Sequence, residues 1–244
     1  RLIAEFNGML ERIENSFENE KAIADKMKKF VSDASHELRT PLTSIQGFSQ
    51  LLSNGDITSE ADIKTSLNTI TDESRRLTRL LNNLLLLTKL DYRINTEKKP
   101  ENIKKILEDI TGQLKLISGS RELHIYSEDV CVNSSSDQIK QIIINLINNA
   151  AEHSDAHSGK INIEIKNVAI DKVKYGAIII SDNGTGIPKD QLSRIFDRFY
   201  RVEPHRSRKY GGFGLGLSIV KSIVDENDGQ IEVKSEINNG SIFK

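Results

Sequence analysis

A chain of 244 residues, 37% hydrophobic and 28% charged, is long enough for one large or two smaller soluble domains with a buried core. Its 34 basic and 35 acidic side chains nearly cancel, which removes any net-charge argument for a nucleic-acid partner. No apolar run approaches the roughly 18–20 residues of a membrane span, and the single cysteine, Cys131, excludes an intrachain disulfide and a cysteine-based zinc site.

The chain opens on Arg1 rather than methionine and shows no signal peptide. Its first stretch, "RLIAEFNGMLERIENSF", is already helical in pattern, so a piece of a longer protein is expected. From Arg1 to Tyr92 there is no convincing strand. Apolar residues recur at helical spacing: Val31, Ala34, Leu38, Leu42, Ile45, Phe48 and Leu52, then Ile63, Leu67, Ile70, Leu77, Leu81 and Leu84. This is a narrow stripe of the kind found in bundle seams. "SNGDITSE" (53–60) reads as the turn of a helical hairpin. Two helices bury a core poorly, and the run Leu84 to Leu87 is too apolar for a lone hairpin. Two hairpins paired in a four-helix bundle would cover it, so a homodimer is expected; a hairpin packed on its own C-terminal half is the alternative.

At about 100° per residue the stripe points away from His36, and Thr40, four residues on, shares the face of His36. Both belong on the outside of the bundle. An imidazole is mostly neutral at neutral pH and keeps a free nitrogen lone pair. Glu37 is the candidate to orient the ring and take its other proton, although neighbours on a helix diverge by about 100°. Pro41 lacks the N–H that would bond the Glu37 carbonyl, which favours a bend there. On these residues alone, His36 is as much an ordinary surface histidine as a nucleophile.

"DYRINTEKKPEN" (91–102) is polar and reads as a linker. After it the pattern changes. Helices are predicted over Asn102 to Ile117, Asp137 to Glu152 (Asp137 as a possible cap) and Leu215 to Asn227. Strands are predicted at "ELHIY", "KINIEIKNV", "YGAIIISD" and "GQIEVKSE", which makes this half an α/β or α+β sandwich. Cys131 reads as a small buried apolar residue.

Three stretches of this half carry chemistry. In "SDNGTGIP" (181–188), Asp182 can accept a hydrogen bond from an adenine amino group, while Gly184 and Gly186 let the backbone approach a nucleotide; a plain surface turn is the alternative. "GGFGLGLSIV" (211–220) sets glycines directly before a helix, where N–H groups and the helix dipole favour phosphate, or where glycine serves only packing. It is neither a Walker loop nor a Rossmann turn. "NLINNAAEHS" (145–154) puts Asn145 and Asn149 on one helix face, and an amide oxygen can ligate Mg²⁺. Glu152, His153, Asp155 and His157 offer a transition-metal alternative.

"FVSDASHELRTPLTSI" (30–45) closely resembles the H-box of the sensor histidine kinases of bacterial two-component systems. The three later stretches, in this order, resemble the N-box and two glycine boxes of that family's ATP domain, and "FDRFYR" (196–201) resembles its F-box. The resemblance implies a multidomain α and α+β protein. Residues 1–25 would be the end of a HAMP domain, which "LIAEFNGMLERI" resembles. Residues 26–92 would be the dimerisation and phosphotransfer hairpin, 93–100 a linker and 101–244 a Bergerat-type α/β sandwich. It further implies His36 as phosphoacceptor, Glu37 as acid or base and Thr40 as a residue that positions water for dephosphorylating the partner. ATP would be held by Asn145, Asn149, Asp182, Gly184, Gly186, Tyr200, Arg201, Arg206, Gly212, Gly214, Leu215 and Gly216, with Asn149 on Mg²⁺. Residues from about 199 to 213 would form a lid, with Arg206, Arg208 and Lys209 as phosphate contacts. The implied partner is a response-regulator receiver domain. The implied location is the cytoplasmic side of the bacterial membrane, with the full-length parent anchored there. An ATPase-only or non-catalytic signalling protein of the same fold is the alternative. One departure stands out: where the N-box commonly has lysine and an aromatic, this chain has Glu152 and His153.

Overall fold

The computed structural model describes residues 2–92, 97–170, 173–202 and 212–244. It divides into two compact units, Arg1–Leu80 and Leu81–Lys244. The division falls within the second helix, so the end of that helix groups with the α/β unit.

Helix α1 spans Leu2–Ser53 and α2 spans Glu60–Asp91. The predicted turn lies between them. The α1 C-terminus closes with the Asp56 N–H on the Leu51 carbonyl (3.1 Å) and the Gly55 N–H on the Leu52 carbonyl (3.3 Å). Gly55 sits at φ 75°, the left-handed residue that such a cap needs. Glu60 and Asp62 lie in the first turn of α2, at the positive end of its dipole. Pro41 is buried, and α1 continues through it, since one missing N–H removes a single rung of the ladder. The predicted stripe is only partly covered. Leu38, Ile45, Phe48 and Ile70 are half-buried, whereas Val31, Leu42 and Leu67 remain 55%, 47% and 51% exposed. Two helices present more apolar surface than they can hide from each other.

In the α/β unit, α3 (Ile103–Ser118) and α4 (Ser136–His153) pack against a five-stranded sheet, and α5 (Gly216–Glu226) packs on α4. The strands are β2 (Glu122–Ser127), β4 (Lys160–Ile170), β5 (Val173–Asp182), β6 (Val233–Glu236) and β7 (Gly240–Phe243). Their order is β2-β4-β5-β7-β6, with β2 parallel to β4 and the other pairs antiparallel. β4 turns Ile161, Ile163 and Ile165 inward at period two. They meet Ile143, Leu146, Ile147 and Ala150 of α4, and Ile106, Leu107, Ile110 and Leu114 of α3, in one core.

Several local expectations change. Part of the predicted linker is a strand: β1 (Lys99–Asn102) pairs antiparallel with β3 (Cys131–Ser134). Pro100 is tolerated because this ribbon has only two strands, both of them edges. Cys131 is exposed rather than buried, because burial alternates along β3 and its face of the ribbon is uncovered. The α4 cap position is Ser135, and Asp137 lies in the first turn, where its charge still favours the dipole. "GQIEVKSE" is strand only from Val233.

Candidate functional site

The two units each hold one cluster of the candidate residues. On α1, His36 and Thr40 stand exposed on one face, as the periodicity requires. An open groove of about 480 Å³ is lined by His36, Arg39, Thr40, Thr43 and Ser44. The Thr40 hydroxyl points back along the helix, 3.4 Å from the His36 carbonyl that accepts from it.

Glu37 lies on a different azimuth, and its carboxylate faces α2. There it comes within 3.7 Å of the Arg76 guanidinium, which is also 3.6 Å from Glu73. The Arg76 side chain is 12% exposed and each carboxylate 25%. A guanidinium this sheltered requires partners, and the two carboxylates supply them. The residue that orients the neighbour of His36 is therefore contributed by the other helix. Sequence reasoning missed Arg76 and Glu73. The available signal was a charge immediately before Leu77 of the apolar series, where the hairpin has to bury part of it.

The second cluster surrounds the C-terminal half of α4. Asp182 ends β5, paired in the sheet with Ile161 on one side and Ser241 on the other. Its carboxylate accepts the Gly184 N–H at 2.8 Å. Burial pushes its pKa up, against the opposing pull of the Gly184 and Ser241 N–H groups. The loop after β5 is tied to the end of α4 by the Thr185 N–H, which donates to the His153 carbonyl at 3.0 Å. Gly186 has φ 69° and lies against the Glu236 carbonyl, so no side chain fits there.

The loop before α5 meets the same helix. A Cβ on Gly212 would come within 3.0 and 3.2 Å of the Glu152 carboxylate oxygens, and one on Gly216 within 3.2 Å of the Asn145 Oδ1. Gly214, at φ 69°, packs on the backbone of Phe199 and Tyr200. Its carbonyl accepts the Phe199 N–H at 2.9 Å, which closes the base of the loop. Phe199 itself is held at φ 61°, a strained value for an aromatic residue. The Tyr200 hydroxyl donates to Gln191 at 3.0 Å, and the Arg194 guanidinium stacks 4.4 Å from its ring centroid. Leu215 is buried, so its side chain packs in the interior. Arg206, Arg208 and Lys209 lie outside the described residues.

Asn145, Asn149 and Glu152 follow one another along the α4 face that meets the glycine loop. Asn145 is fixed by its own amide, which donates to the Gln141 carbonyl at 2.9 Å. Burial raises the pKa of Glu152, only partly offset by the charge of Arg201. The transition-metal alternative finds no support. Asp155 instead accepts from the N–H groups of His157 and Ser158 and from the Ser158 hydroxyl. The hydrogen bonds from Ser158 lead in bringing its pKa down to about 2. Among the described residues, no group of three or more His, Cys, Asp or Glu side chains is placed to hold a metal ion. No described helix is long and apolar enough to cross a membrane.

Comparison with known proteins bears on both units. Residues 26–93 match the model of the His Kinase A (phospho-acceptor) domain. Residues 134–244 match that of the histidine kinase-, DNA gyrase B-, and HSP90-like ATPase. The chain is 39% identical over 249 aligned positions to the signal transduction histidine-protein kinase ArlS of Staphylococcus epidermidis, covering 100% of this chain and 51% of that protein. It thus spans about half the length of the curated relatives it matches. Among solved structures it is similar to the Acinetobacter baumannii histidine kinase AdeS, with 25% identity, a TM-score of 0.64, and coverage of 85% of this chain and 94% of that one. It shares the fold of histidine kinase ThkA, solved in complex with the response regulator protein TrrA, at 23% identity and a TM-score of 0.67, covering 91% of this chain and 62% of that one. With a phospho-acceptor hairpin and an ATPase domain matched in succession along one chain, the protein belongs to the sensor histidine kinases.

Proposed function

We propose that this chain transfers the γ-phosphoryl group of ATP to its own His36 and then to an aspartate of a response-regulator receiver domain. The observation that carries the reading is His36 standing exposed on α1, next in sequence to Glu37, whose carboxylate is anchored from α2. A ring nitrogen of His36 attacks the γ-phosphorus, and the bond to the leaving ADP oxygen breaks with its electron pair. Glu37 takes the proton from the other ring nitrogen. Arg76 holds the Glu37 carboxylate in place for this. Residues 26–92 serve as the dimerisation and phosphotransfer domain. The exposed apolar side chains Val31, Leu42 and Leu67 support pairing with a second copy.

In the ATP domain, residues 101–244, Asp182 reads the adenine, while Gly184 and Gly186 let the backbone approach it. Asn145 and Gly212, Gly214 and Gly216 enclose the phosphates, and Tyr200, Arg201 and Arg206 close over them. Leu215 contributes its backbone. The residues fit Mg²⁺: the Asn149 amide offers a neutral oxygen, and Glu152 Oε1 is a buried carboxylate oxygen without a hydrogen-bond donor among the described residues. When bound, Mg²⁺ neutralises charge on the β- and γ-phosphate oxygens. Thr40 supports a phosphatase activity toward the regulator. The longer parent is anchored in the bacterial membrane with this part on the cytoplasmic side, and residues 1–25 relay the signal to the hairpin.

The test is incubation with γ-labelled ATP and Mg²⁺. Acid-labile, alkali-stable label appears on the wild type and is absent from His36→Gln. Label that persists in that variant overturns the assignment of His36. The departure at Glu152 favours a second reading, an ATPase without phosphotransfer, for which hydrolysis without label is the signature.

A further inference from the structure

Glu152 is a half-buried acid in the very loop-and-helix cradle assigned to a polyphosphate. It lies one helical turn beyond Asn149, and its carboxylate touches the position a Gly212 side chain would take, at 3.0 and 3.2 Å. Asn145 touches Gly216 in the same way two turns earlier, at 3.2 Å. One face of α4 therefore runs along the loop from Gly212 to Gly216 and ends in a negative charge. Glu152 Oε1 is enclosed and accepts no hydrogen bond from the described residues. Among the described residues, the cation acting on it is Arg201, from the segment that closes the base of the loop, and its influence is smaller than the burial it opposes.

A carboxylate here repels phosphate unless a cation stands between them. Where the N-box commonly has lysine, phosphate is attracted directly. The glutamate reverses that sign, and oxygen ligands of this kind suit a hard divalent ion that shares itself between protein carboxylate and nucleotide phosphates. We propose that Glu152 joins Asn149 on the Mg²⁺ side of the site, so that this chain takes ATP only as its metal complex. Arg201 then supplies the phosphate contact that lysine would otherwise make. The proposal rests on the nucleotide-site reading above and would distinguish this chain from relatives with lysine at that position.

The experiment measures the affinity of the 244-residue chain for a fluorescent ATP analogue in Mg²⁺ and in EDTA, for wild type, Glu152→Gln and Glu152→Lys. Wild type is expected to lose affinity at least about tenfold without the metal. Glu152→Gln should weaken the Mg²⁺ complex while leaving metal-free binding equal or tighter. Glu152→Lys should bind the metal-free nucleotide about tenfold more tightly than wild type. Equal ratios of the two affinities in wild type and Glu152→Gln overturn the proposal while leaving the nucleotide site in place. If no protein binds nucleotide in either condition, the site reading fails and this proposal with it. Should the variants not fold, wild type alone decides: equal affinity with and without Mg²⁺ refutes metal-dependent entry.

Discussion

The hairpin and the α/β unit dispose of their apolar side chains in opposite ways. In the α/β unit, Leu114, Ile143, Ile147, Ile161 and Ile163 are 0% exposed and meet in one core between sheet and helices. In the hairpin, Leu80 reaches 0%, but Leu67 and Val31 keep more than half of their surface open, at 51% and 55%. The sandwich closes its core within one chain. The hairpin leaves apolar side chains open, so in the proposed dimer its stability is expected to depend on association while that of the sandwich is not. The proposed phosphoacceptor, His36, is thus placed on the element whose apolar face is left open.

Equivalent truncations in the two units should expose this difference most strongly. Ile147→Ala is expected to lower the stability of the α/β unit by about 2–5 kcal/mol, independent of protein concentration. Leu67→Ala should leave that unit unchanged and shift the hairpin transition in a concentration-dependent manner. Calorimetry over a dilution series checks both, and a hairpin transition insensitive to dilution breaks the comparison.

A smaller effect is expected at Arg76. Its replacement by Met leaves Glu37 and Glu73 facing each other without the cation, at a cost of about 1–2 kcal/mol to the hairpin once their partial exposure is allowed for. The labelling rate should fall, because Glu37 is no longer held. In a double-mutant cycle, Glu37→Gln with Arg76→Met should lose less than the sum of the single losses. Strict additivity would show that the ion pair does not act on Glu37.

The smallest effect is a slope with pH in the α/β unit. Burial holds the carboxyls of Glu152 and Asp182 above their ordinary values of 4.5 and 3.8. Folded values above unfolded ones mean that their contribution is intact below those ordinary values and is lost as pH rises through the folded ones. Glu152→Gln and Asp182→Asn should each flatten that fall in thermal melts. Unchanged slopes in both would place the carboxyls in a wetter setting than the structure gives them.

Local spacing made much of this legible in advance. The i, i+4 relation fixes His36 and Thr40 on one exposed face, and Asn145 and Asn149 on one face of α4, whatever surrounds the helices. Period-two alternation gave β4, and glycine before a helix marked the loop that the structure folds onto Asn145. Short strands were another matter: β1 and β3 have four residues each, too few to show a period, and pairing alone makes them strands. Cys131 was misread because nothing in its neighbours says that the ribbon leaves that face bare.

What the sequence settled by itself are the relations within single elements: which side chains share a helix face, where glycine interrupts, and which motifs follow one another. What only the tertiary structure decided are the relations between elements. Arg76 reaches Glu37 from the opposite helix, Glu152 meets Gly212 and the charge of Arg201, and the Thr185 N–H fastens the Asp182 loop to His153. The first kind follows from backbone geometry, which every residue obeys alike. The second depends on how far apart in the chain two groups can be and still come within a few ångströms, and only the packed core and its register set that.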